Sequence, residues 1–124
     1  MSALRNVKIV ELASGVAGEY CGKLLADFGA EVIKVERPGS GSDTRRMGPF
    51  AASGPLTERS GMFAYLNTSK RSVALALEDC AAQESLLKIL ASADVLLDDL
   101  SGADDFEYLR LVHSVWSSRG AEAA

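Results

Sequence analysis

The sequence lacks most of the residues that mark special structural classes. It has two cysteines, Cys21 and Cys80, with no CxxC spacing, so neither a disulfide framework nor a thiolate zinc site is indicated. Both thiols are expected to be free, buried or half-buried groups in a reducing cytosol. The one histidine, His113, has no nucleophile or acid at a recognisable spacing. No Ser-His-Asp or Cys-His arrangement can be read, and a metal site has too few ligands. No apolar run approaches the roughly 20 residues of a membrane span, and the N-terminus has no signal-peptide layout. Positive charge is in deficit, with 13 Lys and Arg against 17 Asp and Glu and a net charge of −4. That balance argues against nucleic-acid binding. What remains is an ordinary globular composition, 48% hydrophobic and 24% charged over 124 residues. The expectation is one soluble cytoplasmic domain covering 1–124, with no metal and no membrane partner.

The chain alternates strand-like and helix-like segments. Val7 to Leu12 is apolar and β-branched and reads as a buried strand. Ala13-Ser14-Gly15 is a turn, and Val16 to Phe28 reads as a helix with an apolar stripe at Tyr20, Leu24 and Phe28, flanked by Cys21 and Leu25. Gly29 suits the left-handed residue that ends a helix. Ala30 to Val35 is a second strand, giving a β-α-β unit with a right-handed crossover. Residues 37–60 hold all three prolines and read as a long loop of the kind that is functional or mobile. Gly61 to Asn67 is a short helix and Ser72 to Leu77 a third strand. Asp79 is placed to cap a helix that runs to about Ala91, with Leu86, Leu87, Ile89 and Leu90 inward. Asp94 to Leu97 is a fourth strand. For the end, a short helix at Ala103 to Leu109 and a strand at Leu111 to Trp116 are preferred to one helix, because Val-His-Ser-Val-Trp is poor in helix formers. Ser117 to Ala124 is expected to fray. The fold class is α/β: a three-layer, Rossmann-like, open and mostly parallel sheet of four to five strands flanked by helices.

Basic residues gather where strands meet loops. Arg37 ends the second strand and enters the loop Pro38-Gly39-Ser40-Gly41-Ser42, with Arg45 and Arg46 beyond it. Lys70 and Arg71 precede the third strand. In an acidic chain, such local cationic loops point to a small phosphorylated ligand. Each arginine also has a plainer reading as loop charge paired with Asp43. Gly15, Gly18 and Gly22 follow G-x-x-G-x-x-x-G, not the dinucleotide fingerprint. Glu36 stands about where a ribose-binding acid would. Structural glycines explain the spacing about as well, leaving a helix N-terminus that a carbonyl or phosphate could approach. Asp98 and Asp99 follow the fourth strand. Adjacent acids point apart, so a helix cap and a solvated acid are the expected reading, not an acid–base pair.

In order along the chain, Val7–Leu12, Ala17-Gly18-Glu19-Tyr20-Cys21, Leu24 to Gly39, Asp43-Thr44-Arg45, Asn67-Thr68-Ser69-Lys70-Arg71-Ser72 and Ala93-Asp94-Val95 resemble the N-terminal part of family III CoA-transferases. That family contains formyl-CoA transferase, carnitine CoA-transferase and α-methylacyl-CoA racemase. The resemblance implies a Rossmann-like CoA-binding domain, shortened relative to the family, and relatives that form interlocked dimers. It implies that Arg37 and Lys70 contact the nucleotide end of coenzyme A. It also implies that backbone at Val16 and Ala17 approaches the thioester, and that Leu66, Asn67 and Ser69 lie along the adenine. Two departures stand out: Glu19 replaces a family proline, and Asp98-Asp99-Leu100 replaces a Glu-Asn-Phe-like segment. The family's catalytic aspartate lies beyond the matched part, as does the racemases' histidine, which His113 does not match. The resemblance therefore implies an acyl-CoA binder without the anhydride-forming carboxylate. Such a chain is expected to self-associate or to be completed by a complementary C-terminal subunit. The alternatives are a non-catalytic dimerisation or interaction module, an acyl-CoA racemase-type relative, and a nicotinamide-dinucleotide binder using Gly15, Gly18 and Glu36.

Overall fold

The computed structural model describes residues 2–99 and 110–118. Its elements are β1 (Lys8–Glu11), α1 (Val16–Asp27), β2 (Glu31–Glu36), α2 (Gly61–Leu66), β3 (Arg71–Ala74), α3 (Cys80–Leu90) and β4 (Val95–Leu97). Two 3₁₀ turns, Asp43–Arg46 and Leu56–Glu58, punctuate the long loop. The four strands form one sheet in the order β3-β2-β1-β4, and every pairing is parallel. The chain moves outward from β1 to β3 and then returns to pair β4 with β1. Right-handed crossovers in opposite directions put α1 and α3 on opposite faces.

Strand alternation sorts the core into two layers. Val10, Leu12 and Val35 face Leu77, Leu86, Leu90 and Val112 on one side, while Ile9 and Val32 face Ala26 and Ala30 on the other. No helix among the described residues is long and apolar enough to cross a membrane.

Several expectations are corrected. Leu111 to Trp116 is not a strand, because residues 110–118 are helical. Val112 is buried, and Leu111, Val115 and Trp116 pack beside it at helical spacing, so tertiary packing overrides weak propensity. The expected helix at 103–109 lies outside the described residues, as do residues 119–124, while Ser117 and Ser118 stay helical. The third strand ends at Ala74, after which Leu75 and Leu77 turn down into the core. Cys21 and Cys80 are exposed, not buried.

Helix α1 turns its apolar residues the unusual way. Its large apolar stripe faces out, with Val16 43%, Tyr20 44%, Leu24 40% and Phe28 59% exposed. Its inward face is Gly18, Glu19, Gly22 and Ala26. The reason lies beneath the helix, where charged side chains occupy the space that bulky residues would need.

Candidate functional site

The strand sequences place Glu11 in β1 directly beside Lys34 in β2, and α1 covers both. Glu11, Glu19 and Lys34 are each no more than 1% exposed. Lys34 Nζ donates to Glu11 Oε2 at 2.9 Å and to the Ala13 carbonyl at 2.6 Å, and lies 3.1 Å from Glu19 Oε1. Lys70 enters from the far side and sits 2.8 Å from Glu11 Oε1, donating to the Glu19 carbonyl and to Asn67 Oδ1 at 2.9 Å each. Burial pulls the Lys70 ammonium below its ordinary pKa, against Glu11, which raises it. Thr44 Oγ1 and Asn67 Nδ2 both donate to Glu19 Oε2, at 2.7 and 2.8 Å. Isolated charges at this depth would cost several kcal/mol each, so two acids and two ammonium groups compensate one another.

The glycines of α1 exist for these charges. A Cβ on Gly22 would fall 1.7 Å from Glu11 Oε1, and one on Gly18 would fall 2.6 Å from Asp99 Oδ2. Asp99, at the end of β4, accepts from the backbone N–H groups of Ser14, Gly15 and Gly18 at 2.7, 3.0 and 3.2 Å. It thus caps α1, the preceding helix in space and not the next in sequence, and fills the anion position at that helix start. Asp98 stands apart, 3.3 Å from the exposed His113. Asp79 holds the N-cap position of α3 without a side-chain capping bond.

Glu36 is spoken for as well. It receives Arg45 in a fork, Nε at 2.8 Å and Nη2 at 2.9 Å, with the Ser42 N–H at 2.9 Å and the Ser72 hydroxyl at 3.0 Å. Burial would raise its pKa, but these donors outweigh it and hold the carboxyl at about 2. Gly41, at φ +62°, passes so close that a Cβ would meet both Arg45 and Glu36 at 2.6 Å. A dinucleotide ribose therefore finds neither Glu36 nor the start of α1 open to it.

Beside this pair, a polar cleft of about 230 Å³ opens at the carboxyl ends of β1 and β2. It is lined by Leu12, Ala13, Ser14 and Val35, by the loop of Ser40 to Asp43, and by the two arginines Arg37 and Arg46. The Asp43 N–H donates to Ser14 Oγ at 3.0 Å, joining turn and loop. Arg46 donates to the Ser40 carbonyl at 3.2 Å and pairs with Asp43, as the plainer reading of that arginine has it. The open end of a parallel sheet is where α/β folds take ligands.

The seven residues named from the sequence separate into groups. Arg37 lines the cleft. Val16 and Ala17 are exposed at the first turn of α1, just past Ser14, which lines the cleft. Ser69 is exposed on the α2–β3 loop in a left-handed conformation, φ +66°. Leu66, Asn67 and Lys70 turn inward: Leu66 is 2% exposed, and the other two serve Glu19 and Glu11. Sequence reasoning missed the charge cluster itself. Its one visible trace was a charged residue inside each of two apolar strands, Glu11 and Lys34.

A family model described as CoA-transferase family III matches residues 4–110. The succinyl-CoA:mesaconate CoA-transferase of Haloarcula hispanica is 39% identical over 99 residues, which is 80% of this chain and 25% of that protein. The human succinyl-CoA:glutarate CoA-transferase is 37% identical over 97 residues, 77% of this chain and 21% of that one. Among solved structures, a CAIB/BAIF family protein from Brucella suis superposes with a TM-score of 0.73 at 33% identity, covering 92% of this chain and 31% of its own. The present chain thus spans between a fifth and a third of these relatives. The match over 4–110, the parallel sheet and the sequence identities agree: the chain belongs to CoA-transferase family III.

Proposed function

We propose that this chain binds coenzyme A or an acyl-CoA through the cleft at the ends of β1 and β2. The observation that carries the reading is that two arginines, Arg37 and Arg46, line a polar cleft on the ligand side of a parallel sheet, in a chain of this family. Guanidinium groups suit phosphate oxygens, which accept their forked N–H donors. The exposed first turn of α1 lies next to the cleft, in reach of the pantetheine and thioester end. Lys70 and Asn67 shape the site from beneath in this arrangement, and Ser69 presents the exposed part of their loop. The relatives are named for moving CoA between carboxylic acids. For the 124 residues alone we propose binding without transfer, since among the described residues the two carboxylates lining the cleft are both paired, Glu36 with Arg45 and Asp43 with Arg46.

Isothermal titration with coenzyme A tests the reading. Saturable heat that Arg37→Ala weakens by about tenfold, the effect of about 1.4 kcal/mol, is the expected result. No heat and no shift in melting temperature would refute it. Mixing the chain with succinyl-CoA and a free dicarboxylate is expected to give no exchange.

A second reading rests on the outward apolar stripe of α1, continued by Tyr65 at 57% exposed. A run of large apolar side chains along one helix face fits association with another polypeptide. In this reading the chain also pairs with itself or with a complementary subunit.

A further inference from the structure

Glu19 is fully buried in the first turns of a surface helix, and its carboxylate is bonded to partners outside that helix. Asp99 caps α1, and the backbone closes its own turns. Instead the Glu19 side chain reaches three separate parts of the chain. Lys34, 3.1 Å from Oε1, passes the link to the Ala13 carbonyl in the β1–α1 turn. Thr44, itself 0% exposed, brings the 3₁₀ turn of the long loop to Oε2. Asn67 brings the α2–β3 loop to the same oxygen. Two of these links end at the cleft: Ala13 and Ser14 line it from the β1–α1 turn, and Ser42 and Asp43, next to Thr44, line it from the long loop. Replacing a buried ionic cluster by apolar groups of equal volume is often neutral or stabilising, and in some proteins such clusters serve to fix arrangement.

We propose that Glu19 is a positioning residue for the cleft, holding the β1–α1 turn and the Ser42–Thr44 segment at a fixed separation without touching the ligand. The proposal rests on the CoA reading for its ligand. Coenzyme A affinity is measured for the whole chain and for Glu19→Gln, Thr44→Val, Thr44→Ser and the Glu19→Gln/Thr44→Val double variant, with melting temperatures alongside. Each of the first two is expected to weaken binding by about tenfold. The double variant is expected to be no weaker than the worse single one, because both cut the same link. Thr44→Ser, which keeps the hydroxyl, is expected to recover wild-type affinity within about threefold. A residue that only supported the fold would lower melting temperature while leaving affinity unchanged, or would give additive losses. Either result overturns the proposal.

If the wild-type chain gives no heat with coenzyme A, the ligand reading fails and amide hydrogen exchange decides the positioning role separately. Glu19→Gln is then expected to speed exchange at Asp43, Arg45 and Met47 together, and unchanged rates at all three overturn it. Should Glu19→Gln fail to fold, Thr44→Val against Thr44→Ser carries both measurements.

Discussion

At Gly22 a helix-favouring substitution should have the wrong sign. Replacing glycine by alanine inside a helix ordinarily gains about 1 kcal/mol. Here the new methyl would overlap Glu11 Oε1 and crowd Lys70 Nζ, 3.2 Å from the same point. Displacing a buried carboxylate from its two ammonium partners is expected to cost about 3 kcal/mol or more. Urea unfolding of Gly22→Ala checks this, and a stability equal to or above wild type would show that the cluster relaxes freely. Glu36 gives a second prediction. Its folded pKa of about 2 lies below the ordinary 4.5, so its contribution is fully present above pH 4.5 and fades as pH falls toward 2. The difference in melting temperature between wild type and Glu36→Gln should therefore narrow steadily through that window. A difference that stays constant from pH 6 to pH 3 would contradict it.

Among the elements, α1 departs most from what its sequence suggests, and it does so twice. Its start is held by a residue 81 positions later than Gly18, namely Asp99. Asp99→Ala is expected to lower stability by about 1–2 kcal/mol, the usual worth of a lost N-cap with a favourable helix-dipole charge. Asp99→Asn, which keeps an acceptor, should lose less, and equal losses would mean that charge carries the whole effect. The Tyr20, Leu24 and Phe28 stripe suggests an inward face by periodicity, yet it faces solvent, because the opposite face has to fit over Glu11, Lys34 and Lys70. Leu24→Lys should accordingly change monomer stability by no more than about 0.5 kcal/mol, as exposed substitutions do. In sedimentation the wild-type chain is expected to associate and Leu24→Lys to shift toward monomer. Identical sedimentation of the two would remove the stripe as a contact surface.

For the whole molecule, the order β3-β2-β1-β4 puts the most buried strand, β1, between two neighbours that the chain reaches by opposite crossovers. All the loops that bear on the cleft leave the carboxyl ends of β1 and β2. Apolar periodicity and glycine punctuation sufficed for the first, second and fourth strands, for α1 and α3 and for the long loop, since each is a local pattern of hydrophobic spacing. The last helix was legible only as one of two readings, because Val112 and Trp116 fit a helical spacing while Val-His-Ser-Val-Trp is poor in helix formers. Arg37 was legible as a cleft-lining residue from its place at a strand end. Lys70 was legible as important, but whether it faces a ligand or a carboxylate is decided by Glu11, 59 residues away in sequence. By itself the sequence determined the α/β class, the parallel order of its first unit and the family, all of which follow from local spacing and ordered motifs. Only the tertiary structure decided which charges are buried together, because a buried ion is tolerable only where an opposite charge from a distant segment arrives within about 3 Å, and no local pattern encodes that meeting.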